Sequence, residues 1–237
     1  MPVSHRLYTT AITPGGAALL DIRRAHGRWV FLNPTGAALW QLLADGIPAE
    51  TAIKELTAHW TGRGADPGQV QADLVLLTQS FAAARLDPAT SAPTPVPAPG
   101  AIRFAPPGMP PKTADRLAGI TGLAAALVLL RILPVRTVIT VARAAARLPL
   151  PPATPQEADA VFAAVHRAAR AWPGRAACFE ESLGAFLAAL LRRRRIHWVL
   201  GARFAPAAAH AWIETADAVI GQDEADRAWP YTPALRV

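Results

Sequence analysis

Two short apolar runs open the chain. "HRLYTTAI" and "AALLDIRR" are separated by Pro14-Gly15-Gly16, a turn signal. "RAHG" then leads into "RWVFLN", so residues 19–32 read as a β-hairpin. After Leu32 the period lengthens from strand-like to helical. In "NPTGAALWQLLADG", Asn33 can cap a helix, Pro34 suits its first turn and Gly46 ends it, with Leu39, Leu42 and Leu43 on the apolar face. "PAETAIKELTAHW" repeats the pattern through Ile53, Leu56 and Trp60. A third helix from about Pro67 to Leu86 carries Val70, Leu74, Leu77 and Phe81 at helical spacing. Three strands followed by three helices predict a small α+β domain of winged-helix type over residues 1–87.

Residues 88–112, "PATSAPTPVPAPGAIRFAPPGMPPK", contain nine prolines. Such a stretch suits neither a helix nor a central strand, and it reads as an extended linker. A second region, 113–237, starts with helical character over 117–147. Its longest apolar run, "LAGITGLAAALVLL", is shorter than the ~20 residues a spanning helix needs and is rich in alanine and glycine. It reads as a buried helix, with membrane association a minority reading. In "TPQEADAVFAAVHRAARAW", Thr154 is the N-cap, and Val161, Val165, Ala168 and Trp172 are expected to face inward. Pro173-Gly174 stops that helix.

Composition narrows the function classes. The chain has 237 residues, is 52% hydrophobic and carries a formal net charge of +7. It has one cysteine, and its start resembles no signal peptide, which argues against a secreted disulfide scaffold and for a cytoplasmic location. A basic balance suits nucleic acid, an anionic surface or an acidic peptide. No basic stripe interleaves with aromatics, so nucleic acid is not expected.

The single thiol, Cys178, sits where a helix begins after Pro173-Gly174. Phe179, Leu183, Phe186, Leu187, Leu190 and Leu191 form that helix's apolar face. A first helical turn offers unpaired N–H groups and the positive end of the dipole, both of which favour a thiolate. Of the six histidines, His210 lies in a strand-like segment, "AHAWIE", where alternation places His210, Trp212 and Glu214 on one side. The chain turns at 215–217 and returns through "AVIG" towards Gln222 and Asp223. A helix-borne thiol, a strand histidine and an acid on the next strand suit nucleophile, base and orienter. The same residues are compatible with an inert core cysteine and a structural histidine.

Two family resemblances sharpen this. "LN-x-TG-x-x-x-W-x-L-L-x-x-G", met by Leu32, Asn33, Thr35, Gly36, Trp40, Leu42, Leu43 and Gly46, resembles the PqqD-like family, the RiPP recognition elements. That resemblance implies a domain that binds the leader of a ribosomally made precursor peptide by strand addition. The edge would be Arg28, Trp29, Val30, Phe31 and Leu32, faced by Val70, Leu74 and Leu77. "CFEESLGAFLAALLRRRRI" followed by "VLGARFAPAAAHAWIE" resembles the lasso peptide biosynthesis B proteins of the transglutaminase-like cysteine protease group. This implies a transglutaminase/papain-like α+β domain acting as a leader peptidase, with Cys178 as nucleophile, His210 as base and Asp223 as orienter. It implies no cofactor and no metal. Its partners would be the precursor leader and an asparagine-synthetase-like cyclase. The sequence departs from the family pattern in the two acids, Glu180 and Glu181, that follow the thiol. The orienter is uncertain by one position, between Gln222 and Asp223. An acyl transferase using the same triad and a non-catalytic peptide-binding scaffold remain the alternative readings.

Overall fold

The computed structural model describes residues 5–92, 111–204, 206–221 and 230–237. Strands β1 (Leu7–Thr9), β2 (Ala17–Asp21) and β3 (Arg28–Leu32) form the expected antiparallel meander. Helices α1 (Pro34–Ala44), α2 (Ala49–Thr61) and α3 (Pro67–Ala83) follow. The α1 motif has a physical cause at each position. Asn33 Oδ1 accepts the Gly36 amide at 2.8 Å and caps the helix. Gly36 has only a hydrogen because Leu77 of α3 lies against it. Trp40 is buried and meets Phe81 edge-on at 5.2 Å. Gly46 ends the helix with φ +82°, a conformation glycine adopts without strain.

The proline-rich segment contributes more than a linker. Asp87 caps a short 3-10 turn at Pro88–Thr90, and Ser91–Ala92 then form β4, parallel to β1. The first sheet therefore has the order β3-β2-β1-β4. Ser91 and Ala92 are free of proline and lie at an edge, where a short strand is tolerated. The first unit thus extends past residue 87, and residues 93–110 of the expected linker lie outside the described residues.

The second region begins with α4 (Thr113–Ile132) and α5 (Val135–Ala146), separated at Pro134. Next come α6 (Pro155–Ala171) and α7 (Cys178–Leu191). The second sheet comprises β5 (His197–Arg203), β6 (Ala208–Glu214), β7 (Val219–Ile220) and β8 (Thr232–Arg236), in the order β7-β6-β5-β8. All its pairings are antiparallel. β8 is an element the sequence pattern does not announce, since Pro233 interrupts it. It lies at the sheet edge, and its register with β5 shifts between Leu200 and Gly201. The fold is α+β throughout.

Helix α7 is the centre of this region. Its apolar face was expected to dock on one surface, but Ser182, Gly184, Ala185, Ala188 and Ala189 are buried as well. Small residues let α4 approach: Gly122 sits on the Gly184 carbonyl and Ala188. Gly119 likewise sits on Ala164 and Val165 of α6. Two departures follow. Leu191 and Trp172, both expected to face inward, are exposed. The apolar helix α4 is buried on its small-residue face and exposed on the other. The arginines after α7 partly pair with acids, Arg192 with Asp115 at 2.9 Å and Arg194 with Glu157 at 2.7 Å.

The two regions touch. The Val135 amide donates to the Ala25 carbonyl at 2.7 Å, and Phe31 meets Phe204 edge-on at 5.8 Å. Because Gly122 has no room for a side chain, Gly122→Ala is expected to cost about 1–3 kcal/mol through overpacking. Urea unfolding of the full chain measures it.

Candidate active site

Helix α7 starts at Cys178 itself, preceded by Ala177 in extended conformation. Ala177 brings no polar side chain to the helix end. Glu180 accepts the Ala177 amide at 3.0 Å, fixing the chain's entry into the helix. Glu181 turns away and pairs with His166 of α6 at 2.8 Å. The acids that follow the thiol are thus engaged in holding the helix start.

One turn on, Ser182 is fully buried. Its hydroxyl accepts the Trp198 indole N–H at 3.0 Å and donates to the Phe179 carbonyl at 3.3 Å. Ser182 thereby ties the first turn of α7 to β5. This explains why serine follows the cysteine by four positions: a buried indole N–H needs an acceptor there.

Strand β6 supplies the other half. His210, Trp212 and Glu214 share one face, as alternation predicts. The Trp212 indole donates to Glu214 at 2.8 Å, and Glu214 pairs with Arg236 of β8 at 2.8 Å. Gly201 is the register partner of His210 on β5, and a Cβ there would collide with the Trp212 ring and the Thr232 carbonyl. Glycine at that position is what seats the tryptophan. Tyr231 packs on the His210 ring at 4.9 Å, and the Arg203 guanidinium lies over Tyr231 at 4.7 Å.

The His210 side chain and the Ala211 backbone amide both favour the thiolate form of Cys178. Burial pushes the thiol pKa up. The His210 hydrogen bond, the Ala211 amide and the His210 charge pull it down and prevail, with Glu180 opposing them weakly. The net result is a thiol below its ordinary range. His210 Nε2 lies 3.1 Å from the Gly221 carbonyl. A carbonyl only accepts, so Nε2 carries the hydrogen. That tautomer leaves Nδ1 as the basic nitrogen of the ring. The β6–β7 pairing, Ile213 with Ile220 and Glu214 with Val219, brings Gly221 back to the histidine. The returning strand meets His210 at Gly221. The group observed there is a main-chain carbonyl, which leaves no mark in a sequence. Gln222 and Asp223 lie outside the described residues.

Residues 120–236 match the family model described as transglutaminase-like superfamily, and residues 16–86 match that of coenzyme PQQ synthesis protein D (PqqD). The chain joins a PqqD domain to a transglutaminase-like domain. No curated protein and no solved structure matches it. The transglutaminase-like superfamily generally includes cysteine-dependent enzymes, and the thiol–imidazole contact lies within the matched residues. The pairing of domains fits binding and processing of a ribosomally made precursor peptide.

In the PqqD domain, β3 forms one edge of its sheet. Trp29 and Val30 are half-buried and Leu32 is buried, while Arg28 and Phe31 are exposed. Val70, Leu74 and Leu77 of α3 line a cavity of about 450 Å³ that also takes in Asn33, Gly36 and Trp60. None of Arg28 to Leu32 lines that cavity, which opens beside the start of α1. Among the described residues, no group of three or more His, Cys, Asp or Glu is placed to hold a metal ion.

The lowered thiol pKa makes a testable statement. Thiolate is present above that pKa, so labelling of Cys178 by iodoacetamide should set in below the pH at which a free thiol (~8.5) is labelled. In His210→Ala two of the lowering influences vanish while burial remains, so the onset of labelling should move to higher pH. Unchanged labelling in the variant contradicts the pairing.

Proposed function

We propose that the protein is a leader peptidase of lasso peptide biosynthesis. The PqqD domain binds the leader of a ribosomally made precursor, and the transglutaminase-like domain cleaves leader from core. The observation that carries this reading is a thiol at a helix start whose pKa is lowered by a strand histidine, itself held by the Gly221 carbonyl, in the same chain as a sheet-edge strand.

In the proposed reaction Cys178 gives its proton to His210, and the sulfur attacks the carbonyl that joins leader to core. Amide N–H groups in the first turn of α7 face the developing oxyanion. The C–N bond breaks, and His210 hands its proton to the leaving core amine. The leader remains on Cys178 as a thioester. Water attacks it with His210 again as base, releasing the leader carboxylate and restoring the thiol. The Gly221 carbonyl accepts from Nε2–H throughout and keeps the ring aligned. Asp223 is the acid proposed to share the orienter role, stabilising the imidazolium. No cofactor takes part. The freed amine is then available to an asparagine-synthetase-like cyclase, and the reaction belongs in the cytoplasm.

The leader is proposed to add to β3 along Arg28 to Leu32, with side chains received by Val70, Leu74 and Leu77. Joining both domains in one chain raises the local concentration of the scissile bond near the thiol.

Cys178→Ala should abolish precursor cleavage while leaving leader binding intact. Chromatographic detection of released leader tests the first part, and fluorescence anisotropy of labelled leader the second. Cleavage by the variant at the wild-type rate would sink the proposal.

Val30→Pro removes a strand amide and imposes proline geometry on β3. Leader affinity should fall about tenfold or more, with alkylation of Cys178 unchanged. Equal affinity in this variant would place the leader elsewhere.

A further inference from the structure

Helix α4 presents an uncharged ridge to solvent. Leu117, Ile120, Val128 and Ile132 are 62, 57, 55 and 71% exposed, and no charged residue falls between Arg116 and Arg131. Beside the ridge runs a groove of about 380 Å³ between α4 and α6, walled by Ile120, Leu123, Leu127 and Ala168 and ending at Trp172, which is 48% exposed. Arg116 and Arg167 line the same groove, and no acidic residue does. Arg131 and Arg170 are exposed on the same two helices. Among the described residues, α4 is the one helix that by length and composition could cross a bilayer, but its other face is committed to the fold. Gly119 and Gly122 are packed on α6 and α7, and Asp115 is paired with Arg192.

A long uncharged ridge, a tryptophan and flanking arginines are the signature of a helix that lies in a membrane interface. Scattered exposed apolar residues need no explanation, but a contiguous row over four turns does. Arginine stems can lie along the apolar surface while the guanidinium groups reach lipid phosphates. We propose that the α4–α6 face docks on an anionic membrane surface, with the α4 ridge in the acyl boundary and Arg116, Arg131, Arg167 and Arg170 at the phosphates. The transglutaminase-like domain then works against the bilayer without spanning it. This docking does not depend on what Cys178 does.

The test uses the full chain and vesicles of phosphatidylcholine with and without phosphatidylglycerol, read by co-sedimentation. Wild type should sediment with the anionic vesicles and lose most of that binding in high salt. The double variant Ile120→Glu, Val128→Glu alters exposed positions only and should bind about tenfold less or weaker. Arg131→Glu with Arg167→Glu should weaken binding by a similar factor while keeping the apolar ridge. Circular dichroism verifies that each variant is folded. Failure of wild type to bind either vesicle overturns the proposal, as does equal binding by both folded variants. A wild-type dimer in solution that Ile120→Glu, Val128→Glu dissolves would assign the face to a second copy and overturn it too.

Discussion

The site depends on how α7 is seated against β5 and β6. The thiol belongs to the helix, and its histidine and amide partners belong to the sheet. A thiol–imidazole contact is useful only if those two elements hold a fixed separation. One buried polar tie joins helix to sheet, and a second braces the sheet itself. Ser182 binds the Trp198 indole between α7 and β5, and Trp212 is held through Glu214 to Arg236 on β8. Each satisfies a group that would be costly to bury alone. Together they explain a sequence pattern in which serine, glycine, tryptophan and glutamate are spaced around a cysteine and a histidine that they do not themselves touch chemically.

Electrostatics at the thiol are a contest between burial and partners. Burial alone would leave Cys178 protonated and inert. His210 and the Ala211 amide reverse that sign. The acids that follow the cysteine interfere little because each has a structural engagement, Glu180 with the Ala177 amide and Glu181 with His166. Helix packing is equally specific. Gly119 and Gly122 bring α4 onto α6 and α7 at backbone distance, which leaves the large side chains of α4 on its outer side.

Much of this was legible in the residues. Asn33, Gly36, Trp40 and Gly46 each occupy the structural role their types suggest, and α1 falls where they place it. Alternation put His210, Trp212 and Glu214 on one face, and the cysteine stands at the first position of its helix. Other features have no one-dimensional signature. The Gly221 carbonyl is main chain, so nothing in the sequence marks it. β8 contains Pro233 and was hidden because proline is tolerated at a sheet edge. Trp172 reads as core by helical spacing, yet it falls at the end of α6, past the last buried turn. Contacts between the two regions, such as Phe31 with Phe204, join residues far apart in the chain.

In the proposed reaction everything turns on Cys178 carrying the leader as a thioester during cleavage. Acid-quenched intact-mass analysis of the full chain mixed with its precursor tests this most directly. The prediction is a transient adduct equal to the leader less one water, absent in Cys178→Ala and accumulating before free leader appears. Cleavage that proceeds with no adduct at any time, and persists in the alanine variant, would contradict it.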